Sequence, residues 1–264
     1  MSPVESSARG LEAERVSVVY GGHRAVDAVN LTAPTGRITG LIGPNGAGKT
    51  SFFNACTGLL RPAEGVIRID GVDVTRRSAA HRARLGLGRT FQRMEIVNTI
   101  SVRTNVALGA EARLAAGNPL TQMLTSPRQR RDINRAADAA LDACGITTLA
   151  DRTAGTLSTG QRRLVELARV LAGGFPLLLL DEPSSGLDEE ESDRFGVILV
   201  TAVATRGLGI LLVEHDMDLV MSVCTHLYVL EFGRRIFQGT PAETQSSDLV
   251  RAAYLGSESL AASG

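Results

Sequence analysis

From residue 14 to residue 40 apolar and polar positions alternate, with breaks at Gly21-Gly22 and Pro34-Thr35-Gly36. That period-2 pattern predicts antiparallel strands joined by turns. Pro62 to Gly71 reads as a turn, a strand and another turn, so antiparallel β-structure is expected on both sides of the segment between them. Two later runs, Pro176 to Leu180 and Ile210 to Val213, are apolar without alternation, as suits parallel strands covered on both faces. Glu189 to Ala204 is expected as the helix between them, and Tyr228 to Phe232 with Arg235 to Gln238 as closing strands around Gly233. From about Arg93 to Val170 alanine, leucine and arginine dominate and the pattern turns helical, which marks an inserted helical subdomain. Within it Gly109 to Leu120 reads as a loose connection, and the basic cluster Ser126 to Arg131 as a solvated helix start in preference to a contact with phospholipid headgroups or an acidic partner. A short helix from Ser247 to Tyr254 should end the ordered chain.

Composition narrows the class of function. The 264 residues are 44% apolar, enough for a sizeable core, and Lys+Arg equals Asp+Glu at 28 each, which argues against nucleic acid as a partner. Cys56, Cys144 and Cys224 are odd in number and lack metal-type spacing, so they read as reduced thiols of a cytosolic protein. Met1 to Gly10 has no signal-peptide pattern, and no apolar run approaches the roughly 20 residues that span a bilayer. Any membrane role is therefore expected from the cytosol.

Gly43-Pro44-Asn45-Gly46-Ala47-Gly48-Lys49-Thr50 has the form of a phosphate loop between the strand-like Ile38 to Ile42 and a helix from Thr50 that ends near Gly58. Backbone N–H groups and a helix N-terminus would cradle a polyphosphate, the lysine would reach the β- and γ-phosphates of ATP, and Thr50 would bind Mg²⁺. Asp181, ending an apolar strand, can hold the metal through water, and Glu182 beside it can take a proton from an attacking water. Adjacent acids on a strand end are expected to point to opposite sides, one toward the metal and one toward the water. His215 stands where it could donate to the γ-phosphate, and Gln92 could ligate the metal. Leu157-Ser158-Thr159-Gly160-Gln161 precedes a strongly helical stretch and offers a second anion site, best explained by closure over ATP held on another copy or a paralogue.

In this order the motifs resemble those of the ATP-binding cassette (ABC) ATPases, over about Glu14 to Gly256. The resemblance implies an α/β fold: a P-loop core with a mixed, mainly parallel sheet (14–92 and 171–256), an antiparallel β subdomain and an inserted helical subdomain (93–170) whose long arm covers about 111–135. Residues 1–13 and 257–264 would be flexible. It further implies that Tyr20 stacks on adenine, Ser51 assists at the α-phosphate, and Gln92 is the Q-loop residue. Ser158 and Gly160 would contact the γ-phosphate across a head-to-tail dimer. Glu182 would be the catalytic base, Ser185-Gly186-Leu187-Asp188 the D-loop and His215 the switch histidine. Two positions depart from the family pattern: Thr159 replaces a glycine, and Ser185-Gly186 stands where Ser-Ala is commoner. If the family backbone needs a positive φ at Thr159, a β-branched residue resists it.

Within the family, Gly88 to Gln92, the long arm, Glu214 to Met221 and Ala253 to Gly256 look like the ATPases of branched-chain (hydrophobic) amino-acid importers. Urea or amide uptake and lipopolysaccharide export are alternatives with similar sequences, as is a soluble cassette such as an iron–sulfur assembly scaffold. The partners implied are a second cassette, identical or paralogous, integral membrane subunits and, indirectly, a periplasmic or surface substrate-binding protein. The place implied is the cytoplasmic face of the membrane.

Overall fold

The computed structural model describes residues 9–90, 96–115 and 126–261. Two sheets organise it. The larger has six strands: β3 (Ile38–Ile42), β6 (Leu87–Arg89), β7 (Leu177–Asp181), β8 (Gly209–Val213), β9 (His226–Glu231) and β10 (Arg234–Gly239), in the spatial order β10-β9-β3-β8-β7-β6. All neighbours are parallel except the β9–β10 hairpin. The smaller sheet is antiparallel, in the order β2-β1-β4-β5, from β1 (Gly10–Tyr20), β2 (His23–Pro34), β4 (Glu64–Ile69) and β5 (Val72–Asp73).

The non-alternating runs are buried on both faces, as expected. Ile38, Leu178, Leu180, Ile210 and Leu212 face the helices, while Leu41, Leu177, Leu179, Leu211 and Val213 join the core shared with the smaller sheet. Burying a leucine side chain contributes about 1.5–3 kcal/mol, so ten such residues hold the central strands rigidly against both layers.

Apart from shifts of one or two residues at element ends, three expectations need correction. β1 starts at Gly10 rather than 14, because Leu11 and Ala13 are buried; register irregularities, with Arg15 and Ala28 at positive φ, mask the alternation. The C-terminal helix α9 (Asp248–Ala261) runs past both Tyr254 and residue 257. The expected loose connection at Gly109 lies instead inside helix α3 (Val102–Ala115), which packs on α4 (Pro127–Ala143) and α5 (Thr159–Ala172). Gly109 has a packing reason. A side chain there would collide with the Arg169 carbonyl of α5, so the glycine sets how closely the helices approach.

That gives a prediction whose sign separates two effects. Helix propensity alone would make Gly109→Ala stabilising by about 0.5–1 kcal/mol, whereas overpacking costs about 1–3 kcal/mol. The collision is with backbone and cannot be relieved by a rotamer, so Gly109→Ala is expected to lower Tm by several degrees in differential scanning calorimetry.

Candidate functional site

The phosphate loop connects β3 to helix α1 (Lys49–Thr57). Gly43, Gly46 and Gly48 all have positive φ, and at Gly43 and Gly48 a Cβ would also strike backbone carbonyls, those of Leu230 and Ala25. The N-cap of α1 is Gly48, with no side-chain cap, whereas Ser, Thr or Asp side chains cap α2 (Ala79–Arg84), α4, α5, α6 (Glu189–Arg206), α7 (Met217–Val223) and α8 (Pro241–Ser246). The orphan amides of α1 are thus left for an anion. Lys49 Nζ donates to Gly43 O at 2.6 Å and to Pro44 O at 3.1 Å, folding the lysine back over its own loop. Burial pulls its pKa down, while Glu182 and Asp181 pull it up.

Asp181 ends β7 and is 4% exposed, and its Oδ1 has no hydrogen-bond partner among the described residues. Burial, reinforced by Glu182, raises its pKa to about 6, against the attraction of Arg89 and Lys49. An orphaned, buried carboxylate oxygen within the field of Lys49, whose chain neighbour is the exposed Thr50, suits a small hard cation bridged by water. The backbone at the next residue departs from the strand alternation expected of it. Glu182 is not a further extended residue with its side chain on the opposite face: its φ is 49°, left-handed, and its N–H donates to Val213 O at 2.8 Å. This turn brings Glu182 Oε1 to 2.8 Å from Nε2 of His215, which follows β8.

The Leu157 to Gln161 segment opens α5. Ser158 Oγ accepts from Gln161 N–H and Gln161 Oε1 from Ser158 N–H, a closed capping box. The start of α5 is therefore closed by its own side chains. A cavity of about 310 Å³ adjoins it, lined by Ser158, Gly160, Leu187, Glu191 and Arg194 among others. A Cβ on Gly160 would meet the Glu191 carboxylate, the far end of a side chain that can move aside.

Residues 26–185, more than half of the chain, match the family model described as ABC transporter. The chain belongs to the ABC transporter ATPases. It is 36% identical to the high-affinity branched-chain amino acid transport ATP-binding protein BraF of Pseudomonas aeruginosa, over 93% of this chain and 97% of that protein. It is 35% identical to the lipopolysaccharide export system ATP-binding protein LptB of Haemophilus influenzae, over 94% and 98%. Among solved structures it matches the ADP conformation of an ATP-binding cassette of an ABC transporter with a TM-score of 0.82 and 29% identity, over 94% of this chain and 98% of that one.

This ABC ATPase brings Lys49, Asp181, Glu182 and His215 together, while Gln92 lies outside the described residues. Tyr20 ends β1 and is 48% exposed, open to a flat ligand. Ser51 lies in the first turn of α1, and Asp188 caps α6 through Glu191 N–H at 2.8 Å. Thr159 carries no positive φ: it is the first residue of α5, in helical conformation, while Gly186 near it has a φ of 84°. The two departures from the family pattern meet, since a Cβ on Gly186 would lie 3.1 Å from Thr159 Cγ2.

Sequence reasoning missed two contacts of this site. Tyr254 of α9 hydrogen-bonds the Gly43 backbone, and burial raises its pKa to about 12. Glu214, buried between β8 and His215, bonds Ser184 and His215. A charged residue directly ending a fully apolar strand was the available signal for the second; the first joins distant parts of the chain and left no local pattern.

Proposed function

We propose that this cassette is the ATP-hydrolysing motor at the cytoplasmic face of a membrane importer of branched-chain or other hydrophobic amino acids. It pairs with a second cassette and drives integral membrane subunits, and a substrate-binding protein delivers the cargo to those subunits. The observation that carries the motor reading is the contrast between two helix starts, one bare and one capped, that we read as phosphate sites. One, on α1, has its own lysine and acids; the other, on α5, has only a serine and amides. The second is chemically incomplete alone, and closing it over the nucleotide of a partner completes two sites at once. Resemblance to BraF supports the cargo; that to LptB supports lipopolysaccharide-type export as the second reading.

In the proposed mechanism Tyr20 stacks on adenine, and the loop amides from Gly43 to Ser51 hold the phosphates while Lys49 leaves its carbonyls for the β- and γ-oxygens. Thr50 and Asp181, with Gln92, would hold Mg²⁺, which would supply charge neutralisation at the phosphates. Glu182 accepts a proton from the attacking water, and His215 keeps that carboxylate oriented and donates toward the γ-phosphate. Leu157 to Gln161 of the partner caps the γ-phosphate, with Ser185 to Asp188 between the sites. No helix among the described residues is long and apolar enough to cross a membrane, which supports a peripheral placement.

The test is the mass of the Glu182→Gln protein in light scattering with and without Mg·ATP. A shift from monomer to dimer supports the reading; a monomer even with its paralogue co-expressed overturns it. Cargo is tested in proteoliposomes, where leucine but not urea is expected to stimulate ATP hydrolysis by the assembled complex.

The acid–base state of Asp181 gives a further expectation. Its raised pKa means the folded protein binds this proton more tightly than the unfolded chain, so this group favours the fold most at low pH and loses that contribution as pH rises through about 6. Metal binding has the opposite sign because it needs the carboxylate. The Mg-dependent gain in ATP affinity is expected to shrink about tenfold from pH 7 to pH 5 in titration calorimetry. In Asp181→Asn the dependence should vanish beyond that of ATP itself.

A further inference from the structure

Glu214 is 3% exposed and directly precedes His215. Its Oε1 accepts both the backbone N–H and the hydroxyl of Ser184, each at 2.7 Å, and its Oε2 accepts the His215 N–H at 3.0 Å. Ser184 lies two residues beyond Glu182, across Pro183. One carboxylate therefore ties together the two backbone segments that carry the Glu182–His215 pair.

A second grip faces it. Arg163 of α5, itself paired with Glu166 at 3.0 Å, donates from Nε to Ser185 O at 3.1 Å. The Ser184-Ser185 segment is thus held from the β8 side by Glu214 and from the signature helix by Arg163. All three donors to Glu214 are neutral, so burying this charge carries a desolvation cost that an apolar residue of the same size would not. Its proximity also raises the pKa of Asp181. What the carboxylate contributes is direction: two acceptor oxygens in one rigid plane set the separation of two loops. The left-handed backbone at Glu182, between these anchors, persists only where its surroundings enforce it.

We propose that Glu214 is a positioning residue for ATP hydrolysis, clamping Ser184 to His215 so that the Glu182–His215 pair keeps its geometry. The proposal rests on the reading of Glu182 and His215 as the hydrolytic pair. It is tested with Glu214→Gln, which keeps the shape but replaces one acceptor by a donor and cannot satisfy both loops. The expected result is a fall in kcat on the order of 10-fold to 100-fold, with KM for ATP and the affinity for ADP retained. In a His215→Ala background the same substitution is expected to cost little more, because residues that act through one another are not additive.

An unchanged kcat would overturn the proposal, as would a loss of equal size in both backgrounds. Should Glu214→Gln fail to fold, Ser184→Ala carries the same test by removing only the hydroxyl donor, with the same non-additivity expected. If His215→Ala alone keeps wild-type kcat, the reading of the hydrolytic pair fails, and the proposal with it. If His215→Ala is impaired and Glu214→Gln is not, only the proposal fails.

Discussion

Replacing Glu182 by Gln is expected to slow ATP turnover by roughly 10²–10⁴-fold, the range for loss of a general base, while ATP binding stays intact. The substitution is nearly isosteric, and the Glu182 backbone N–H bond to Val213 O at 2.8 Å does not involve the side chain. The local fold should therefore survive. Binding is carried elsewhere, by the uncapped start of α1 and by Lys49, neither of which donates to Glu182. The amide can still meet His215 Nε2, but it cannot take a proton from water at neutral pH. Single-turnover hydrolysis alongside equilibrium binding of ATP checks the split. A mutant that turns over at the wild-type rate would remove Glu182 from the chemistry; one that loses ATP affinity equally would make it a binding residue.

The second large effect is far from any phosphate. Arg82 of α2 is 1% exposed, and its guanidinium donates to Ala55 O at 2.6 Å, Cys56 O at 2.7 Å, Arg77 O at 3.2 Å and Thr75 O at 3.3 Å. Two of these acceptors are late carbonyls of α1, the negative end of the helix that carries the phosphate loop. Gly58 ends that helix in the left-handed conformation, and a Cβ there would lie 2.8 Å from Arg82 Nε. Arg82→Met fills much of the volume but leaves the buried Cys56 carbonyl without this donor, Ala55 O with only the Gly58 N–H at 3.3 Å, and the part-buried Thr75 and Arg77 carbonyls short of a partner, at a cost of about 1–3 kcal/mol for each buried group left unpaired. A total loss of about 3–5 kcal/mol is expected in urea unfolding, with ATP affinity unchanged wherever the protein remains folded. A loss below about 1 kcal/mol would mean that water replaces the guanidinium.

The phosphate loop, the doubly buried strands and the capping segment at Ser158 are legible in the sequence because each is a local pattern with one physical meaning. Other features depend on distant atoms. Gly109 reads as a breaker because its need for space arises from Arg169, 60 residues away in sequence. β6 is a three-residue edge strand with Gly88 at its centre, too short to show a period. Alternation fails at Asp181-Glu182 because the chain turns left-handed there, which a β-strand template does not anticipate. Thr159 has no positive φ to resist, because the threonine simply opens a helix. The clamp at Glu214 emerges only once β7 and β8 lie side by side.

The bare N-terminus of α1 reaches beyond catalysis. Six other helices are capped at their start by a side chain of their own sequence, whereas no side chain among the described residues caps this one. A nucleotide is then part of the folded structure as well as fuel: at a hundred times its dissociation constant it would add about 2.7 kcal/mol to stability. The lifetime of the protein in the cell would accordingly follow the energy charge that the machine consumes.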